Sequence, residues 1–241
     1  MKLEIVFTAA DIKNIGVEGK VLVAFDVFRA TSTIITALEN RCAAVVPVCS
    51  VEEAWSKSRE LKALNDKVLV AGELHGIRVP GMDLGNSPTE YMAADLDGHI
   101  IVLSTCNGTH AIRNAQGASK IFIGALLNAR AVALKIVKEQ KDVILGCAGR
   151  LGEFSLEDFT AAGAVASYVR EAMPEIEATD PVFAAEACFL NYCNDLPVFL
   201  RRGKHGKYLE KIGFTEDIDY CTRLNVSKLV PEFRQGKITS N

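Results

Sequence analysis

Within FDVFRATST, residues 25–33, an acid, a guanidinium and three hydroxyls follow directly on an apolar run. A carboxylate at a strand end is costly unless it is paired or bound to a metal. Asp26 has Arg29 close behind it, and Thr31 and Ser32 stand where a helix would begin. Free N–H groups at such a start, flanked by an arginine, make a ready anion site. The plainer reading pairs Asp26 with Arg29 and leaves Thr31 as a cap. A second acid, Glu73, lies in VLVAGELHG between Gly72 and Gly76, which allow close backbone approach. Hard cations such as Mg²⁺ ask for one or two carboxylates, several waters and substrate phosphate oxygens. Asp26 and Glu73 meet that need. Singly, Glu73 reads equally as a surface loop acid and His75 as a hydrogen-bonded loop residue.

Two further segments carry polar groups past apolar runs. STCNGTH (104–110) holds Thr105, Asn107 and Gly108 beside Cys106. A thiolate at a helix start is a nucleophile or base. With Cys147 at another strand end, a two-thiol racemase is a second chemistry, against the plain alternative that Cys106 is buried and inert. GCAGR (146–150) supplies Arg150, and Ser155 opens a helix whose first turn bears Glu157 and Asp158. Capping explains one of those acids. The stretch GMDLGNSP (81–88), with Asn86, reads as a turn into a helix that has Pro88 near its first position.

The elements that must position these groups follow from periodicity. Apolar runs at 3–7, 21–27, 43–49, 68–72, 100–104, 120–125 and 142–148 are mostly continuous, as strands covered on both faces are. Helical stretches alternate with them at 32–40, 50–65, 109–116, 127–140 and 155–172. Strand, helix, strand in succession predicts a three-layer α/β/α fold on a mostly parallel sheet, with ligands beyond the carboxyl ends of the strands. Ser50 with Glu53, and Ser155 with Asp158, mark helix starts as N-caps with a reciprocal acid. After Met173, helices are predicted at 181–193, 195–211, 217–221 and 224–230, with no clear strand, wrapping the sheet. The chain reads as a single compact unit, 1–241. The shared outline of VLVAFDVFRATSTIITAL and VILGCAGRLGEFSLEDFTAAGAV admits two similar subdomains, 1–125 and 126–241.

The 241 residues are 49% hydrophobic and 24% charged, an ordinary globular balance that excludes disorder, collagen and coiled coil. Net charge is −3 with Lys and Arg dispersed, so a nucleic-acid footprint is absent. Seven cysteines without a CxxC pair read as reduced cytosolic thiols. Glu4 and Asp11 break the N-terminal apolar run against a signal peptide, and Asn128, Arg130 and Lys135 interrupt the most apolar stretch against a membrane span. The expectation is a cytoplasmic protein with a small anionic substrate, no nucleic acid and no membrane; a homo-oligomer is compatible with it.

Taken together, FDVFRATST (25–33), AGELHGIRVPGMDLGNSP (71–88), STCNGTHAI (104–112), CAGRLGEFSLEDFTAAG (147–163) and RRGKHGKYLEKIGFTEDIDYC (201–221) resemble the 2-phosphosulfolactate phosphatase family nearly end to end. The resemblance implies Mg²⁺-dependent hydrolysis of (R)-2-phospho-3-sulfolactate to 3-sulfolactate and phosphate, a step of coenzyme M biosynthesis. Two positions depart from the expected pattern: Cys106 replaces a threonine and Met82 a phenylalanine. On this reading Asp26 and Glu73 hold Mg²⁺, with Asp158 or Glu157 as a third ligand. Arg29, Thr31, Ser32 and the segment from Thr105 through Asn107 to Gly108 surround the phosphate, with Asn86 nearby. His75, Arg78 and Arg150 are candidates for the sulfonate or carboxylate, since arginine matches such groups in bidentate fashion. A strand-end Asp followed by Thr is similar to haloacid-dehalogenase-type phosphatases, but Phe28 stands where their second acid belongs. That favours attack by water over an aspartyl-phosphate. A non-catalytic anion-binding domain and the two-thiol racemase are the competing readings.

Overall fold

The computed structural model describes residues 1–240. Its strands are β1 (Lys2–Val6), β2 (Val21–Phe25), β3 (Ala44–Val48), β4 (Val68–Leu74), β5 (Ile77–Arg78), β6 (Ile100–Ser104), β7 (Lys120–Gly124), β8 (Val143–Cys147), β9 (Glu177–Ala178), β10 (Glu232–Arg234) and β11 (Lys237–Thr239). Its helices are α1 (Ala9–Asn14), α2 (Ala30–Glu39), α3 (Val51–Lys62), α4 (Pro88–Ala93), α5 (Gly108–Asn114), α6 (Ala129–Glu139), α7 (Leu156–Ala172), α8 (Asp180–Tyr192), α9 (Leu196–Arg201), α10 (Lys204–Lys211) and α11 (Thr215–Cys221). All seven apolar runs are strands. They join one mostly parallel sheet in the order β5-β4-β6-β3-β11-β10-β7-β2-β8-β1-β9, whose edges do not meet.

The sheet has two parallel halves, β4-β6-β3 and β7-β2-β8-β1, joined by the antiparallel hairpin β10–β11. Helices α2 and α5 touch strands of both halves. Ile34 and Ile35 of α2 share one core with Leu22, Val45, Ile101 and Ile123. A second core lies under α6, α7 and α8, and a third lies between α3 and the β4-β6-β3 half. This burial explains how ATSTIITALE forms a helix despite its β-branched residues: positions 30–38 are all buried, so packing outweighs propensity. Its hydroxyls bond backward; Thr36 Oγ1, for one, donates to the Ser32 carbonyl at 2.8 Å.

The last third does wrap the sheet with helices, yet three local expectations fail there. The stretch 195–211 breaks into α9 and α10 at Gly203. Residues 224–230 are not helical; Asn225 and Ser227 donate their N–H groups to the carbonyls of Leu126 and Leu127, and Pro231 disfavours helix just before it. The hairpin β10–β11 was hidden because only Phe233 and Ile238 point inward from two three-residue strands, too short a run to show alternation. The six-residue α1 was likewise not foreseen. Both serine caps are present, Ser50 accepting from Glu53 N–H at 3.1 Å and Ser155 from Asp158 N–H at 3.3 Å. The Asp158 carboxylate also reaches beyond its own helix, accepting the N–H groups of Val27 and Gly149. No helix among the described residues is long and apolar enough to cross a membrane.

Candidate active site

The polar segments do not follow four neighbouring strands. β2 and β8 are adjacent, as are β4 and β6, and four strands separate the two pairs. The shared helical core nonetheless brings the ends together: Leu151 N–H, beyond β8, donates to Asn107 Oδ1, beyond β6, at 3.0 Å. Between them lies a cleft open to solvent.

Asp26 forms one wall. Its backbone is fixed by Thr31, which gives its N–H to the Asp26 carbonyl at 2.9 Å and accepts the Asp26 N–H on Oγ1 at 3.2 Å. The Asp26 side chain is buried, and Oδ1 takes only a 3.4 Å contact from Ala30 N–H. Oδ2 lies against Gly108, where an added Cβ would come within 2.7 Å of it and of Ala30. Burial raises the Asp26 carboxyl to about 6; His205 and the Ala30 N–H oppose the rise, while Glu73 and Glu157 add to it.

Glu73 lines the same cleft. The β4–β5 hairpin turns at His75 and Gly76, both with positive φ (51° and 80°), as a tight primed turn requires. That turn aims Gly76 N–H at Glu73 Oε2, 2.6 Å away, while Cys106 N–H reaches Oε1 at 3.0 Å. Arg29 also lines the cleft, 2% exposed, with Nη1 on Asp217 Oδ2 at 2.7 Å, Nη2 on the Gly76 carbonyl and its guanidinium carbon 4.0 Å from the Phe214 ring centroid. Asp217 also accepts from Ser87 and Thr89, at 2.7 and 2.9 Å. Arg150 stacks over Tyr208 at 4.6 Å, and the Tyr208 hydroxyl donates to the His75 carbonyl at 2.7 Å.

Of the residues singled out from sequence, Asp26, Arg29, Glu73, His75, Asn86, Asn107 and Arg150 line this cleft. Thr31 and Ser32 do not; the Ser32 hydroxyl donates to the Val27 carbonyl at 2.9 Å. Thr105 accepts from Thr109 N–H behind the cleft, Gly108 backs Asp26, and Arg78 points to Glu90 on the surface. Glu157 and Asp158 are also committed elsewhere. Glu157 Oε1 lies 2.8 Å from His205 Nδ1, and Asp158 accepts the N–H groups of Val27 and Gly149 at 2.8 and 3.2 Å. Among the described residues, no three His, Cys, Asp or Glu side chains gather as a metal cluster.

Two carboxylates remain. Both are hard oxygen donors, and Asn86 adds a buried Oδ1 that has no hydrogen-bond partner on the wall of the same cleft. That set fits a hard divalent cation, which needs only one or two protein carboxylates. Cys106 has its thiol raised by burial and by Glu73, and Cys147 is fully buried, away from the cleft, with its thiol also raised by burial. Neither is an activated thiolate.

Sequence reasoning missed His205 and Tyr208 on α10, which line the cleft, and Asp217 on α11, which holds Arg29. A signal existed: His205 and Tyr208 are three apart in GKHGKYLE, one face of a short helix. Which way that face turned could not be read from the pattern.

A family model described as 2-phosphosulpholactate phosphatase matches residues 6–236. The chain is 38% identical over 238 residues to a probable 2-phosphosulfolactate phosphatase of Clostridium acetobutylicum, covering 99% of this chain and 100% of that one. A protein of the same description from Carboxydothermus hydrogenoformans is 39% identical over 240 residues, 99% of this chain and 96% of its own. A third, from Symbiobacterium thermophilum, is 38% identical over 220 residues, 91% and 94% of the two chains. With a match of this extent and a cleft built from the same segments, the chain belongs to the 2-phosphosulpholactate phosphatase family.

Proposed function

We propose that this protein is a Mg²⁺-dependent phosphoric monoester hydrolase that converts (R)-2-phospho-3-sulfolactate to 3-sulfolactate and phosphate, in the cytoplasm and within coenzyme M biosynthesis. One observation carries the reading: a single cleft is lined by two carboxylates, Asp26 and Glu73, and by two guanidinium groups, Arg29 and Arg150. A substrate with three anionic groups needs cations from more than one source. Asp26, Glu73 and Asn86 would hold Mg²⁺, which supplies positive charge to the phosphoryl oxygens and makes water more acidic.

The chain's own groups do the rest. Arg29 is locked by Asp217, Gly76 and Phe214, so its remaining N–H donors meet charge developing on the phosphoryl group without reorganisation. Arg150, spread over Tyr208 at the rim, takes the sulfonate or carboxylate. Phe28 lines the cleft two residues after Asp26, where haloacid-dehalogenase-type phosphatases carry their second acid, and this favours direct attack by water, in which the ester P–O bond would break as the water oxygen bonds to phosphorus. The two-thiol alternative has no second thiol in the cleft. All seven cysteines are free, as a reducing compartment keeps them.

The test is phosphate release across small phosphorylated hydroxy acids, with Mg²⁺ and after chelation. The sulfonated ester should turn over fastest, and chelation should abolish release. Absence of release from every ester would overturn the proposal.

A further inference from the structure

The substrate's ester oxygen leaves from a secondary aliphatic carbon. Unprotonated, it would depart as an alkoxide, a far poorer leaving group than a phenolate. Proton donation by a placed side chain contributes about 10²–10⁴-fold to such steps. The cleft holds few donors. Arg29 and Arg150 do not release protons. The Tyr208 hydroxyl is spent on the His75 carbonyl, and His75 is exposed on the hairpin turn.

His205 remains. It comes from α10, lines the cleft beside Asp26 and Arg29, and presents Nδ1 to Glu157 Oε1 at 2.8 Å. Glu157, in the first turn of α7, is 2% exposed, so its partner is fixed. The imidazole stands edge-on to Phe28, centroids 6.0 Å apart at 73°, which sets its plane. A histidine whose Nδ1–H is held by a buried carboxylate presents Nε2 as its working atom. We propose that His205 is the general acid that protonates the leaving alcohol, with Glu157 as its positioning residue.

The proposal rests on the phosphatase reading above. As water's oxygen bonds to phosphorus, the P–O(ester) pair moves to the ester oxygen and takes the proton from His205 Nε2. The attacking water loses a proton to solvent, and the imidazole regains one from solvent. The charged groups around His205 are Glu157 on α7, Asp26 and Arg29 beyond β2, Glu73 on β4 and Arg150 beyond β8. Lys204, next to it on α10, is paired with Glu153.

The experiment compares wild type, His205→Gln and Glu157→Gln on an alkyl ester, 2-phospho-3-sulfolactate, and an aryl ester, p-nitrophenyl phosphate. In His205→Gln, kcat on the alkyl ester should fall about 10²- to 10³-fold with KM little changed, and on the aryl ester less than about tenfold. The alkaline limb of its kcat–pH profile should disappear, and Glu157→Gln should show a smaller loss with the same alkyl bias. Equal losses on both esters, or none on either, would overturn the assignment. Should the variants fail to fold by circular dichroism, wild type decides: kcat should depend weakly on leaving-group acidity across a series of esters, and a steep dependence would overturn it. A wild type inert to every ester sinks the phosphatase reading itself, a distinct result.

Discussion

Asp26 and Asp158 invite comparison. They sit beside adjacent strands, β2 and β8, whose ends are in register at Phe25 and Cys147. Both are almost wholly buried, and burial raises the carboxyl of each. Their hydrogen bonds separate them. Asp158 has each oxygen committed, one to Val27 N–H and one to Gly149 N–H, so it ties the loop beyond β2 to the loop beyond β8. Asp26 has one long contact and an oxygen facing glycine. A buried acid with satisfied oxygens is a clamp, whereas one left short of donors is poised for a ligand.

Three substitutions or titrations can break that distinction. The largest effect belongs to Asp26→Asn, which should lower kcat/KM by about 10³-fold or more, roughly 4 kcal/mol, while thermal unfolding shows a fold at least as stable as wild type. Near-normal turnover would put Asp26 with the clamps.

Next comes pH. The folded protein holds the Asp26 proton more tightly than the unfolded chain, so Asp26 makes stability fall as pH rises from the ordinary carboxyl range through about 6. The difference amounts to roughly 3 kcal/mol. Denaturant titrations without divalent cation should show this fall in wild type and a shallower one in Asp26→Asn. Added Mg²⁺ should restore stability at neutral pH in wild type only. Identical slopes in the two proteins would erase the contrast.

The smallest effect is structural. Asp158→Ala strands two buried N–H groups and should cost about 2 kcal/mol of stability. Its activity loss should be recovered in large part by working well below the variant's Tm. A variant as stable as wild type would show that the two loops need no tie.

The sequence was most legible where the chain is regular. Seven apolar runs located the parallel strands, and strand ends pointed to Asp26, Glu73 and Asn107, because a strand's register fixes where its next residues emerge. It was silent where position depends on packing between distant segments. Nothing local in the sequence could tell that Asp217, 188 residues after Arg29, would hold that guanidinium, or that Glu157 would face His205 rather than the cleft. The capping pattern at Ser155 was correct for the backbone but said nothing of the tertiary N–H groups, of Val27 and Gly149, that the Asp158 carboxylate also takes.

The wall of main chain behind Asp26 has a consequence for how such a cleft diversifies. Position 108 admits no side chain without displacing both Ala30 and the carboxylate, so the floor resists change one residue at a time. Arg150, His75 and Tyr208 belong to loops and a short helix at the mouth, where replacement leaves that floor intact. New substrates would therefore be acquired from the rim inward, with the reacting centre inherited unaltered.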